Sequence, residues 1–516
     1  MRLLSTATTV AAAVLIACSS GSSTSDSKAE KAPPTKRPVI ARVPGPVATE
    51  ATVTRLCGTC HPRVSASELN KKDWGLVLTH LTDVIAKRAK LTYSPGEMRA
   101  LRGYFTKHSP ARLPALPPVP ADSPIAFKGE PLGRRGHTLP SKRENGPSII
   151  NVNVVDVDGD RTPDVLVCAD IRRAVSRIHK SKSGWTEELI THINTPGHTH
   201  AYDHDGDGDL DVVVAVLGSL MPTEQHVGGA VLLTNEGKGR FSSRPILSDF
   251  PRTTDVRPGD FDGDGDKDFV VAGFGFINEG EIGWVEQKSR HKFVYHRIVK
   301  MPGALHVPVV DIDKDGDLDF VTLVSQETEQ VIAFVNDGKG TFTQKVIYAA
   351  GSPTFGATGI VKADLDRDGD MDFVFTNGDA FDVPGVGPRP YHGVHWLENL
   401  GGLKFKHHRV LKWYGTYASA VGDMDGDGDL DIVAVSMFNV WSDPRRQSVI
   451  WLENDGKQTF KPHAIGGAPI HQVTVSLGDL NGDGRLDVVT GGIHRLAPPG
   501  NRMGRVTVWW NNGPVK

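Results

Sequence analysis

Seven stretches of this chain place an oxygen-bearing side chain at nearly every second position. They are Asp156, Asp158, Asp160, Thr162 and Asp164; Asp203, Asp205, Asp207, Asp209 and Asp211; Asp260, Asp262, Asp264, Asp266 and Asp268; Asp311, Asp313, Asp315, Asp317 and Asp319; Asp364, Asp366, Asp368, Asp370 and Asp372; Asp423, Asp425, Asp427, Asp429 and Asp431; and Asp479, Asn481, Asp483, Arg485 and Asp487. A tight loop can bring carboxylates from its first, third, fifth and ninth positions to one point, and a hard cation such as Ca²⁺ wants six to eight oxygens at about 2.3–2.6 Å. The seventh position varies from Asp to Thr162 and Arg485, so its backbone carbonyl must be the ligand there. Glycines at position 4 or 6 permit the sharp bend. An EF-hand would need Glu at position 12, where this chain has apolar runs such as Val165-Leu166-Val167 and Val212-Val213-Val214. Without a cation so many neighbouring carboxylates would repel strongly, so about seven calcium ions are expected.

A second chemistry-bearing run is Cys57-Gly58-Thr59-Cys60-His61. Two thiols spaced by two residues can each bond a haem vinyl group, and the adjacent His can ligate the iron. No other cysteine pair completes a zinc site. Cys168 reads as a buried core thiol. After the motif, Leu69, Trp74, Leu78, Leu81 and Ile85 fall at helical spacing from Ser67 to about Lys87. Ser94-Pro95-Gly96-Glu97 is a capping box opening a second helix through Met98, Leu101 and Tyr104. This order resembles a minimal cytochrome c domain, the resemblance implying haem c on Cys57, Cys60 and His61. Related modules carry Met near Leu81, from which this chain departs; His80 is the favoured sixth ligand, with Met98 and His108 as alternatives.

The elements that would position the acidic loops repeat with them. Successive first aspartates are 47, 57, 51, 53, 59 and 56 residues apart, a period typical of propellers or solenoids. Alternation precedes each loop, as in Val473, Val475 and Leu477, and a buried run follows, as in Phe269-Val270-Val271-Ala272. A third strand carries Gly283-Trp284-Val285-Glu286, Trp396-Leu397-Glu398-Asn399 or Trp451-Leu452-Glu453-Asn454, and Gly338-Lys339-Gly340-Thr341-Phe342 exemplifies the turn into a fourth. Four strands per repeat make one propeller blade. From residue 150 to 513 the chain resembles the FG-GAP/VCBS repeat family, the calcium-bearing propellers related to integrin α heads. The fold class expected is mainly β, a seven-bladed propeller behind a small α-helical cytochrome c-like domain. The last repeat stops after its third strand at Asn512-Gly513, so residues about 126–140 are expected to supply the missing strand.

Residues 1–18 combine a basic start with a short apolar core, as a secretory signal does, and Leu15-Ile16-Ala17-Cys18 resembles the lipobox of bacterial lipoproteins, implying lipidation at Cys18. Residues 19–50 are polar and small, a flexible tether. The domain reading is then 51–108 haem domain, 109–125 Pro-rich linker and 126–516 propeller. Of the 61 acids, 32 lie in the loops, and seven bound Ca²⁺ would turn a formal charge of −3 into about +11. Such a surface would attract anionic glycan or membrane. No nucleophile elbow, phosphate loop or His-Glu-x-x-His occurs, so no catalytic residue is assigned. His198, His200, Asp255, Arg257 and His306 are expected near the central channel, as ligand-facing groups or as polar filling. The functional reading is an exported, lipid-anchored, monomeric electron-transfer protein of the bacterial cell envelope whose propeller docks a partner or ligand, the partner being an unidentified redox protein or an anionic glycan. The alternatives are adhesion or glycan binding and, behind them, a polysaccharide lyase; no nucleic-acid partner is expected.

Overall fold

The structure is a computed structural model that describes residues 50–57, 64–88, 92–133, 147–276, 278–326, 328–381, 385–494 and 505–515; the side chains of Glu50, Cys57 and residues 80–88 lie outside the described set. The signal-like segment with Cys18, the tether up to residue 49, and Cys60 and His61 likewise lie outside it.

Seven antiparallel sheets follow one another along the chain. Blade 1 comprises Ile149–Val155, Asp164–Ala169, Ala174–Ser181 and Gly184–His192, in that order from the centre outward. The second strands of the blades, such as Asp268–Gly273, are buried along their whole length, except at the half-buried Val216 that ends the one in blade 2, because a sheet neighbour lies on either side and another blade on each face. That is why they read as unbroken apolar runs rather than alternating ones. Outer strands such as Lys292–Lys300 are mostly half-exposed. In blade 4 the innermost strand is split into Ala304–His306 and Val309–Val310, so that sheet has five strands.

The seventh blade is completed from the other end of the propeller sequence. Ile125–Leu132 pairs antiparallel with Val506–Pro514 and forms the outer edge of that sheet. The strand expected over 126–140 therefore forms as Ile125–Leu132; residues 134–140 lie outside the described set.

Ahead of the propeller three helices, α1 (Glu50–Cys57), α2 (Lys71–Arg88) and α3 (Pro95–His108), share a core of Val53, Leu56, Leu69, Leu78, Met98 and Leu101, with Trp74 stacked on Phe105 at 4.0 Å between ring centres. Sequence periodicity missed α1, whose eight residues are too few to show a period. It also began α2 too early: Ala66–Glu68 is a 3₁₀ turn with its own Ser65/Glu68 capping box, and Asn70 caps α2 by accepting the Lys72 and Asp73 N–H groups at 2.9 and 3.0 Å. The Ser94/Glu97 capping box opens α3 as expected. Among the described residues no helix is long and apolar enough to cross a membrane.

The Pro-rich stretch after α3 is not the free spacer that its composition suggests. It lies along blades 5 and 6: Val119 is buried beside Trp396 and Trp413, Arg446 donates to the Leu116 and Pro117 carbonyls at 2.8 and 3.1 Å, and Trp451 Nε1 donates to Ser123 Oγ at 3.1 Å. Polyproline-like backbone has no internal hydrogen bonds, so its carbonyls are open to partners of this kind. The helical unit is fixed to blade 5 as well. Val386 joins its core, and Thr354 Oγ1 and Ser352 Oγ both donate to the Glu68 carboxylate.

Candidate metal sites in the blade loops

Each acidic loop bridges the first and second strands of its blade and wraps its own backbone around its carboxylates. Asp203 takes the Gly206 and Gly208 N–H groups at 2.7 and 3.1 Å, and Asp207 takes the Asp209 N–H at 2.9 Å. The ninth-position Asp is the first residue of the second strand and is buried in every blade. In blades 2 to 7 its two oxygens pin two different segments: Asp319 accepts the Ile312 N–H at 2.9 Å from the loop and the Asn336 N–H at 2.7 Å from the third strand. The loops therefore gather carboxylates from positions 1, 3, 5 and 9 on a rigid frame. Oxygens of Asp156, Asp158 and Asp160, of Asp203, Asp205 and Asp211, and of Asp260, Asp262 and Asp268 come within 4.8 Å of one another.

The seventh-position side chains of blades 4 and 5 are engaged elsewhere and Arg485 of blade 7 has no oxygen to offer, which leaves only the carbonyl for ligand duty there. Asp317 lies so close to Gly338 (φ +68°) that a Cβ there would meet its Oδ2 at 2.4 Å. Asp370 pairs with Lys314 of the preceding loop at 2.5 Å, and Arg485 donates to the Asn511 carbonyl at 3.0 Å.

Two further observations fit a cation. In blades 4 and 5, Lys314 and Arg367 stand where other loops have glycine, and the Oδ1 atoms of Asp311 and Asp364 are buried with no hydrogen-bond donor. A buried carboxylate oxygen without a donor is costly unless a cation meets it. Burial also pushes Asp268, Asp372 and Asp431 up to about 7, and Asp319 and Asp487 up to about 6, with neighbouring loop carboxylates adding to the rise. A divalent ion at the same point would hold them ionised. The donor set, all oxygen and mostly anionic, suits Ca²⁺.

The model of the FG-GAP-like repeat matches residues 203–271, 297–375 and 423–490, with Asp203 and Asp423 as the first residues of two of the matched stretches. These stretches are FG-GAP-like repeats. A T-cell immunomodulatory protein homolog of Plasmodium falciparum (isolate 3D7) is 23% identical over 239 residues, covering 40% of this chain. That match spans 32% of the relative's own length.

The FG-GAP-like propeller also uses residues that loop spacing does not reveal. Asn336, at the end of a third strand, donates its side-chain amide to the Leu318 carbonyl of its own loop at 3.2 Å and to the Phe261 carbonyl of the preceding blade's loop at 2.8 Å. Asn235 does the same to Leu210 and Val157, and Asn511 to Leu486 and Met424. These three asparagines tie the loops of blades 2, 4 and 7 to those of blades 1, 3 and 6, whereas Asn399 and Asn454 donate to the Met371 and Leu430 carbonyls of their own loops. The available signal was an Asn at the end of the third strand in repeat after repeat, as at Asn235, Asn336, Asn399, Asn454 and Asn511.

The channel residues do come together, on the inner strands of blades 2 to 4. Asp255 is fully buried and held well below the usual carboxylate range, against burial, by Arg257, His198 and His306. Its oxygens accept Arg257 Nε at 3.0 and 3.1 Å, the Val256 N–H at 3.0 Å and the Val307 N–H at 3.1 Å, while His198 Nδ1 lies 3.3 Å away. With every lone-pair site occupied, this carboxylate braces three blades rather than serving as an open acid or ligand.

In the helical unit, Cys57 ends α1, and Cys60 and His61 follow outside the described residues. His80 sits on α2 with its side chain outside the described set, whereas Met98 is packed into the helical core. A recess of about 380 Å³ opens beside Val64 and is lined by Tyr104 and His108. Cys168 is a buried thiol, its titration pushed up by desolvation.

Proposed function

We propose that this protein is a calcium-braced propeller acting as a binding scaffold at the bacterial cell envelope, anchored through lipidated Cys18. The observation that carries the calcium reading is the pair of buried, donor-less carboxylate oxygens on Asp311 and Asp364, each the first residue of an acidic loop. Asp, Asn and main-chain oxygens of the loops would hold the ions, and the charge they add would leave a surface suited to anionic glycan or to an acidic protein partner. The name of the Plasmodium relative speaks of immunomodulation, which agrees with recognition as the propeller's task. Glycan-array binding that needs calcium and weakens with salt supports this reading; binding indifferent to both would remove it.

A second reading, electron transfer, is favoured by one specific observation. Cys57 closes a helix whose Val53 and Leu56 enter the helical core, and the recess beside Val64 lies three residues past His61. We infer that Cys57 and Cys60 bind haem c covalently, with His61 as one axial ligand and His80 as the other. The haem would supply one-electron chemistry; the chain's own part is to hold it against blade 5 through Glu68 and Val386. Soret and α bands that respond to dithionite, without a Met–iron charge-transfer band, are the expected spectrum. A colourless protein after export by a strain that matures cytochromes would remove this reading.

A further inference from the structure

The seven loops are not equivalent, and the difference lies in one third-strand residue. Arg177 pairs with Leu166, two residues past the last aspartate of its loop. In the other six blades the same register position holds Leu232, Trp284, Ala333, Trp396, Trp451 and Val508. Only blade 1 puts a cation there.

That cation is turned into its own loop. Arg177 Nη1 donates to Asp158 Oδ2 at 2.8 Å and lies 3.6 Å from Asp164 Oδ2, and Nη2 donates to Glu188 at 3.0 Å. The other oxygen of Asp158 already accepts the Asp160 N–H at 3.2 Å. Both oxygens of the third-position ligand are therefore engaged, and the ninth-position ligand faces a fixed positive charge. The guanidinium is 6% exposed and fits only because Gly239 of the next blade has no side chain; a Cβ there would meet Nη1 at 2.4 Å. The loop has changed in step: Arg161 takes the left-handed turn (φ +71°) held by glycine in the other six, and Thr162 replaces the seventh-position Asp.

Other arginines touch loop carboxylates without having this effect. Arg290 approaches Asp205 at 3.4 Å but is 73% exposed, and Arg485, on Asp483, is 43% exposed. Either can swing into water when an ion arrives. Arg177 cannot, because a buried guanidinium neither deprotonates nor leaves its partners without a large penalty.

We propose that Arg177 closes the loop of blade 1 in place of a calcium ion, so that the protein takes up tight calcium in six blades and not in seven. The proposal rests on the calcium reading of the other loops. Its test is the metal content of the full-length protein, stripped with chelator and dialysed against micromolar calcium, read by mass spectrometry. Six ions per chain are expected, and seven in Arg177→Leu, which installs the residue type of blade 2. Two variants guard against misfolding of that one: Asp158→Asn should leave the count at six, whereas Asp262→Asn should lower it to five. Seven ions in the unaltered protein, six in Arg177→Leu, or a loss with Asp158→Asn would overturn the proposal. No bound calcium at all would instead defeat the reading on which it rests.

Discussion

Gly129 lies directly opposite Trp509 in the outer pair of the seventh blade, and a Cβ on Gly129 would come within 2.8 Å of the indole ring. A residue from before the first repeat thus seats the aromatic core of the last one. The contact joins the two ends of the propeller, and Ile125, Trp451 and Trp509 share one buried cluster across the seam.

Removing the chain up to residue 145 should therefore lower the melting temperature sharply, since it exposes that cluster and the edge of Val506–Pro514. Gly129→Val should do so more mildly, by about 1–3 kcal/mol for overpacking. Thermal melts followed by tryptophan fluorescence check both. A truncated protein that melts like the full chain would show that the ring closes without this strand.

Much of this was legible in the sequence, because the calcium-type loop couples a fixed spacing to a fixed fold: Asp203 to Asp211 announces both the loop and the buried Val212-Val213-Val214 strand after it. Ring closure was readable from the repeat that stops at Gly513. What escaped depends on contacts distant in sequence. Asn336 reaches Phe261 over 75 residues, and Arg446 holds the Leu116 carbonyl over 330. Nothing local in a Pro-rich stretch says that it will be strapped to blade 6, and eight residues of α1 carry too little periodicity to be seen.

The interblade clamp gives a second prediction. Asn336→Ala leaves the Phe261 and Leu318 carbonyls without their buried donor, while the backbone bond to Asp319 survives. A loss of about 2 kcal/mol is expected, read as a lower midpoint in urea at unchanged slope. A loss below 0.5 kcal/mol, the usual range for a surface change, would show that the ring does not depend on this amide.

With calcium holding the loop carboxylates ionised, acid should weaken the protein through its buried histidines. Burial holds His198 and His200 down at about 3 and His494 at about 4, against 6.5 for a free imidazole, with Arg257 and Lys362 reinforcing the depression at His200 and Asp255 opposing it. A depressed imidazole is neutral in the fold and takes up its proton on unfolding, so its stability is complete above about 6.5 and drains away as pH falls toward 4. Each such group adds a slope of up to about 1.4 kcal/mol per pH unit. Urea melts in saturating calcium from pH 7 to pH 4.5 should show the decline, and His494→Gln should shallow it. Flat stability over that window would mean that these rings are already charged in the fold.

The central claim is that the loop aspartates converge on calcium and that the ions brace the blades. The most direct test is the melting temperature of chelator-stripped protein as calcium is returned. A ligand at a hundred times its dissociation constant contributes about 2.7 kcal/mol for each site, so several sites together should raise the melting temperature by many degrees, saturably, with magnesium a poor substitute. A melting temperature that is the same in chelator and in excess calcium would contradict the account.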